Sequence, residues 1–177
     1  MADEKGKMRL ERISRHYSAK GSYAVDFVVR MGGGEQQGEL MILGNNAYMK
    51  LADTEIFVAD TLCYEVRGAS KEIVVDRVDA RENELLNPLN GFLGISANYD
   101  AEECDIEGRL VLRLTPKHAS DTIYFIIGPD GESIAKVQYG VGESRVEIVV
   151  GQSKKQAPTL PTFSKESYNG YELIDFR

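Results

Sequence analysis

At 177 residues the chain is long enough for one domain with a sizeable core and too short for a second independent module. Lysine and arginine number 21 against 28 aspartates and glutamates, and the net charge of -7 disfavours nucleic-acid phosphates and anionic membrane surfaces as partners. No stretch approaches the roughly 20 apolar residues that cross a bilayer as a helix, and the start, Met1-Ala2-Asp3-Glu4-Lys5-Gly6, lacks the apolar core of a secretory signal. The sequence therefore reads as a soluble chain, either cytosolic or a mature exported form with a Met in front.

From Asp3 to Ala19, Leu10, Ile13 and Tyr17 recur at helical spacing with charged residues on the other side, the pattern of an amphipathic helix lying on an apolar surface. Lys20-Gly21-Ser22 ends it. Tyr23, Val25, Phe27, Val29 and Met31 then alternate as a strand does. Gly32 to Gly38, with four glycines and two glutamines, is too permissive for regular structure and predicts a hairpin loop. It has no following helix to make a phosphate-cradling loop. Short strands follow at Glu39–Leu43, Tyr48–Leu51, Glu55–Ala59, Leu62–Arg67 and Lys71–Val78, and their short connections predict antiparallel neighbours.

Between Asn83 and Ser96 the period changes. Leu85, Leu86, Leu89, Phe92 and Leu93 share a helical stripe, Asn87 is placed to cap a helix begun by Pro88, and Gly91 and Gly94 weaken its interior. After an acidic link, Asp100 to Glu107, strands resume through Leu110-Leu112-Leu114 and Ile123-Phe125-Ile127. Gly128-Pro129-Asp130-Gly131 predicts a tight turn, followed by strands at Glu132–Tyr139 and Arg145–Val150. A tail with Phe163 and Tyr171-Glu172-Leu173-Ile174-Asp175 closes the chain. The count is about eleven strands with two or three helices, mainly β and antiparallel, without internal repeats.

Little in the sequence points to catalysis. His16 and His118 lie far apart and outside any triad or metal motif, and the carboxylates fall in polar stretches where a solvated face is the simplest explanation. Cys63 and Cys104 lack the spacing and histidine partners of a zinc site; a buried thiol and an exposed one is the simpler reading, a disulfide in an oxidising compartment the alternative. The adjacent pair Lys154-Lys155 suggests no more than a solvated turn. No enzyme, metal or cofactor is expected. What stands out is that several strands are apolar on both faces: Met41 and Leu43 against Leu40 and Ile42, Ile56 and Val58 against Phe57 and Ala59, Ile126 against Phe125 and Ile127. Either both faces are packed core, or one of them lines a cavity.

Four stretches resemble the LolA family of periplasmic lipoprotein carriers: Gly38-Glu39-Leu40; Glu55 to Tyr64 with its Asp60-Thr61 turn; Leu112-Arg113-Leu114-Thr115-Pro116-Lys117; and Phe163 followed by Gly170 to Asp175. The resemblance runs from about Leu10 to Arg177. It implies an incomplete antiparallel β-barrel with a helical lid, binding the acyl chains of lipoproteins or another lipid. The chain would act as a monomer in the periplasm, between an inner-membrane exporter and an outer-membrane acceptor. Taking the more apolar parity of each strand, the cavity would be lined by Leu40, Ile42, Phe57, Tyr64, Leu110, Leu112, Ile123 and Phe125, with Leu89, Phe92 and Leu93 from the Pro88 helix as lid. Where the family continues its second strand with Arg-Pro, whose Arg latches the lid, this chain has Gly44-Asn45-Asn46. That departure leaves a lipid-binding sensor or adaptor without transfer activity as the alternative.

Overall fold

A computed structural model describes residues 4–18, 20–78, 99–116, 122–141, 143–155 and 159–177. The chain divides into two compact units, one of Met1–Lys20, Phe27–Gln36 and Ile95–Gln152, the other of Gly21–Asp26, Gln37–Gly94 and Ser153–Arg177.

The described elements are one α-helix, α1 (Glu4–Ser18), a 3₁₀ turn at Lys165–Tyr168 and thirteen strands. In chain order these are β1 (Ser22–Met31), β2 (Gly34–Leu43), β3 (Asn46–Leu51), β4 (Thr54–Ala59), β5 (Leu62–Arg67), β6 (Glu72–Arg77) and β7 (Tyr99–Ile106). They continue with β8 (Arg109–Pro116), β9 (Ile123–Ile127), β10 (Ile134–Val141), β11 (Ser144–Val150), β12 (Lys154–Lys155) and β13 (Glu172–Asp175). Hydrogen-bonded neighbours follow the order β13-β6-β5-β4-β3-β2-β1-β11-β10-β9-β8-β7, with β12 added to β1. Among the described residues the path is open, ending at β13 and β7, the mainly β, unclosed architecture expected of an incomplete barrel. Its registers are antiparallel except that β13 joins β6 in parallel. Among the described residues no helix is long and apolar enough to cross a membrane. The expected Pro88 helix, with Leu89, Phe92 and Leu93, and His118 lie outside the described residues.

In the first unit, α1 packs on β7 and β8. Its buried side carries Leu10, Ile13 and Tyr17, the stripe that the sequence displays. Glu4 in the first turn and Arg15 and His16 in the last suit the helix dipole. Arg9 anchors the helix at two points, donating from Nε to Glu103 Oε1 at 2.9 Å and from Nη1 to the Gly131 carbonyl at 2.7 Å. The buried Tyr17 hydroxyl accepts the Ile134 amide N–H at 3.0 Å. Gly131 sits in a turn wound on Asp130, whose Oδ1 accepts the amides of Glu132 and Ser133 and the Ser133 hydroxyl at 2.8–3.0 Å. These bonds outweigh the desolvation that opposes them and hold the Asp130 carboxyl down at about 2.

Two sequence expectations are corrected. The glycine-rich stretch is not a loop as far as Gly38: only Gly32 and Gly33, both at positive φ, form the turn, and β2 begins at Gly34. A two-residue turn with both residues in that region matches the twist of the flanking strands, and the Arg30–Glu35 ion pair spans it at 3.0 Å. The acidic link is likewise a strand, β7. Two of its carboxylates meet a cation: Glu103 pairs with Arg9, and Glu102 with Arg113 directly across on β8.

Candidate functional site

The second unit is built on the meander β2 to β6, whose hairpins turn at Gly44-Asn45, Ala52-Asp53 and Asp60-Thr61. Gly44, Ala52 and Asp60 all take positive φ there. Two-residue turns fix the register without slippage, and since side chains alternate across a sheet, residues directly opposite each other share a face. One row is Met41, Tyr48, Phe57, Tyr64 and Val75. The row on the other face is Leu40, Met49, Ile56, Glu65 and Val74, and beside it lie Ile42, Ala47, Val58, Cys63 and Asp76. The sheet therefore has one aromatic and one aliphatic face.

The aromatic face is filled by the chain's own C-terminal segment. Leu160, Phe163, Tyr168 and Tyr171 pack against a cluster of Tyr48, Phe57, Val66, Ile73 and Val75. Phe163 stacks on Tyr64 with centroids 4.2 Å apart and planes 12° from parallel, and meets Phe57 edge-on at 5.9 Å. Glu55 ties the segment down through both oxygens: Tyr48 donates to Oε2 at 2.6 Å and Tyr168 to Oε1 at 2.9 Å. Burial, then the bond to a carboxylate, raises both phenols; Tyr168 is pushed up to about 12 and Tyr48 further. Beyond the segment, β13 extends the sheet, with Glu172 donating its N–H to the Lys71 carbonyl and Phe176 to that of Val75, each at 2.9 Å.

The aliphatic face buries Leu40, Ile42, Ala47, Met49, Ile56, Val58, Cys63 and Val74. Tyr23 and Val25 are the buried parity of β1 in this unit, and the Gly44 amide donates to the Gly21 carbonyl at 3.0 Å to close the end of the β1–β2 hairpin.

The fold is similar to that of MucB. The two superpose with a TM-score of 0.51 at 12% identity over 97% of this chain and 66% of MucB, so this chain spans slightly less than two thirds of that protein. An uncharacterized conserved protein of Thermus thermophilus gives 0.57 at 8% identity, covering 95% of this chain and 97% of that one. LprF from Mycobacterium bovis gives 0.47 at 13% identity over 91% and 98%. At these identities the likeness concerns the fold. No protein-family model matches the chain, and no curated protein matches it in sequence.

The proposed cavity residues do not share one surface of the second unit. Leu40 and Ile42 lie on the aliphatic face, while Phe57 and Tyr64 lie on the aromatic face beneath Phe163. The other described members are in the first unit, where Leu112 and Phe125 stand directly opposite each other and are fully buried with Val137 and Ile148. Ile123 and the half-buried Leu110 share their parity, on the same face as Glu103 and so on the side tied to α1. Leu89, Phe92 and Leu93 are outside the described residues. Cys63 is buried and Cys104 half-buried, and no disulfide joins the two. His16 is half-buried, 3.4 Å from Glu132 and edge-on to Tyr17. In place of the latch arginine stands the Gly44-Asn45 turn. Sequence parity missed the role of Glu55 and the division between faces, although counting across the three two-residue turns would have paired Met41 with Tyr48, Phe57 and Tyr64.

Proposed function

We propose that the protein is a periplasmic carrier that holds the acyl chains of a lipoprotein, or another lipid, against the aliphatic face of the second unit, around Leu40, Ile42, Met49, Ile56 and Val58. The observation that carries this reading is the presence of two apolar faces on one meander, of which the chain's own C-terminal segment packs on the aromatic one. An acyl chain gains about 0.8 kcal/mol for each CH2 taken from water, so its carrier needs an extended aliphatic surface that is shielded when empty. The aliphatic face has that chemistry: its side chains are branched or flexible, and they are buried. The LolA-like motifs support the same reading, with an inner-membrane exporter and an outer-membrane acceptor as partners and binding rather than catalysis as the activity.

Lipid extraction of protein purified from a periplasmic fraction, followed by mass spectrometry, tests this. Near-stoichiometric acyl species are the expected result, and protein free of any acyl compound would overturn the reading. Recovery of free lipid without any acylated protein would favour the sensor or adaptor that binds without transfer.

A further inference from the structure

The first unit holds a second feature, on the sheet face opposite the one tied to α1. A row of polar side chains crosses it in register: Arg30, Glu147, Gln138, Tyr124, Arg113 and Glu102. At one side of this row lies a concavity of about 520 Å³, lined in part by Thr122, Tyr124, Gln138, Gly140, Arg145 and Glu147. Its size falls within the range of small-molecule sites.

The charges lining it are unequal in their commitments. Glu147 is occupied on both oxygens, Oε1 by Arg30 at 3.3 Å with Lys136 at 3.9 Å, and Oε2 by Gln138 at 3.0 Å. Arg145, among the described residues, has no such partner, and it lines both this concavity and a smaller one of about 340 Å³ beside Arg30 and the Gly32-Gly33 turn. Directly across from Arg145 on β10 is Gly140, where a side chain would otherwise stand in the groove. The half-buried Tyr124 ring lies opposite Gln138 on the next strand. A guanidinium with uncommitted donors beside a phenol ring, a hydroxyl and an open glycine position suits an anionic oxygen group carried on a flat or apolar body.

We infer that this concavity is a binding site for a small organic anion, a phosphate ester or carboxylate, with Arg145 contacting the anionic oxygens and Tyr124 the organic part. The anion could come from a free metabolite or from a lipid headgroup. The site uses none of the residues of the aliphatic face, and the inference stands whether or not that face binds acyl chains.

The test is amide chemical-shift titration of the ¹⁵N-labelled full chain with phenyl phosphate, with monomeric dihexanoyl phosphatidylglycerol, and with benzyl alcohol as the neutral control. Saturable shifts at Tyr124, Gly140 and Arg145 are expected with one or both anions, the responding anion identifying the source, and weak or no shifts with benzyl alcohol. Arg145→Gln should weaken anion binding roughly tenfold or more, from the loss of charge-assisted hydrogen bonds. Gly140→Leu should abolish it by filling the groove; a Cβ there meets nothing closer than the Ser144 carbonyl at 3.8 Å, so the strand accommodates the change. Lys154→Gln, at an exposed lysine that pairs with Asp26 within the second unit, should leave binding unchanged. Absence of saturable shifts with both anions, an equal response to benzyl alcohol, or Arg145→Gln binding like the parent would each overturn the inference.

Discussion

In the first unit the sheet is covered by a regular helix, whose Leu10, Ile13 and Tyr17 lie on the side of the fully buried Leu112, Phe125, Val137 and Ile148. In the second unit the cover on the aromatic face is an irregular segment with a single 3₁₀ turn, Lys165–Tyr168, and its rings stay half-buried. The helix supplies its own backbone hydrogen bonds and contributes by burying Leu10, Ile13 and Tyr17. The segment has few of its own and depends on ring stacking, on Glu55 and on pairing of β13 at the sheet edge. The two covers therefore differ in what holds them, and the second should open at lower free energy than the first.

Substitutions separate the two regions in order of expected effect. Phe125→Ala leaves a cavity in the fully buried core of the first unit and should cost about 3–5 kcal/mol in urea denaturation. Phe163→Ala removes the ring that stacks on Tyr64, but from a half-buried site, and should cost roughly 2 kcal/mol, with faster amide exchange confined to β5, β6 and β13. A loss as large as that of Phe125→Ala would mean that the two covers are equally rigid.

Tyr168→Phe deletes only the hydroxyl bonded to Glu55 and should cost about 1 kcal/mol at neutral pH. Because the folded phenol titrates at about 12, above its ordinary 10.0, its contribution is complete below that ordinary value and is lost as pH rises through the folded one. The stability gap between parent and variant should accordingly close in strong alkali. The smallest effect is expected from Asp130→Asn, in the exposed turn that receives Arg9. The Asp130 carboxyl titrates at about 2 instead of 3.8, so its contribution is present above the ordinary value and lost as pH falls through the folded one. Acid unfolding of the variant should be correspondingly less steep in that interval.

The same contrast explains what the sequence discloses. The α1 stripe, the hairpins of β3 to β5 and the mainly β class are legible because helical and strand periods are local properties of the chain. Gly34 to Gly38 and Asp100 to Ile106 are not, because their strand character rests on partners: a glycine turn that sets the pairing, and the arginines Arg9 and Arg113 that neutralise the acids. Choosing the more apolar parity strand by strand put Leu40 and Phe57 together, whereas hairpin register places them on opposite faces. The aromatic cover was hidden for a different reason. Phe163, Tyr168 and Tyr171 have no period, and their contact with Phe57 and Glu55 spans about a hundred residues of chain.

Adjacent residues of β4 give the most direct test of the carrier account, since Ile56 lies on the aliphatic face and Phe57 on the aromatic one. Binding of the fluorescent fatty acid cis-parinaric acid and thermal unfolding would be measured side by side for the parent, Ile56→Ala and Phe57→Leu. The account predicts saturable binding by the parent, a several-fold weaker affinity for Ile56→Ala, as expected from lost apolar contact, and parent-like affinity with a lower melting temperature for Phe57→Leu. Absence of binding by the parent, or an affinity loss for Phe57→Leu as large as that for Ile56→Ala, would contradict it.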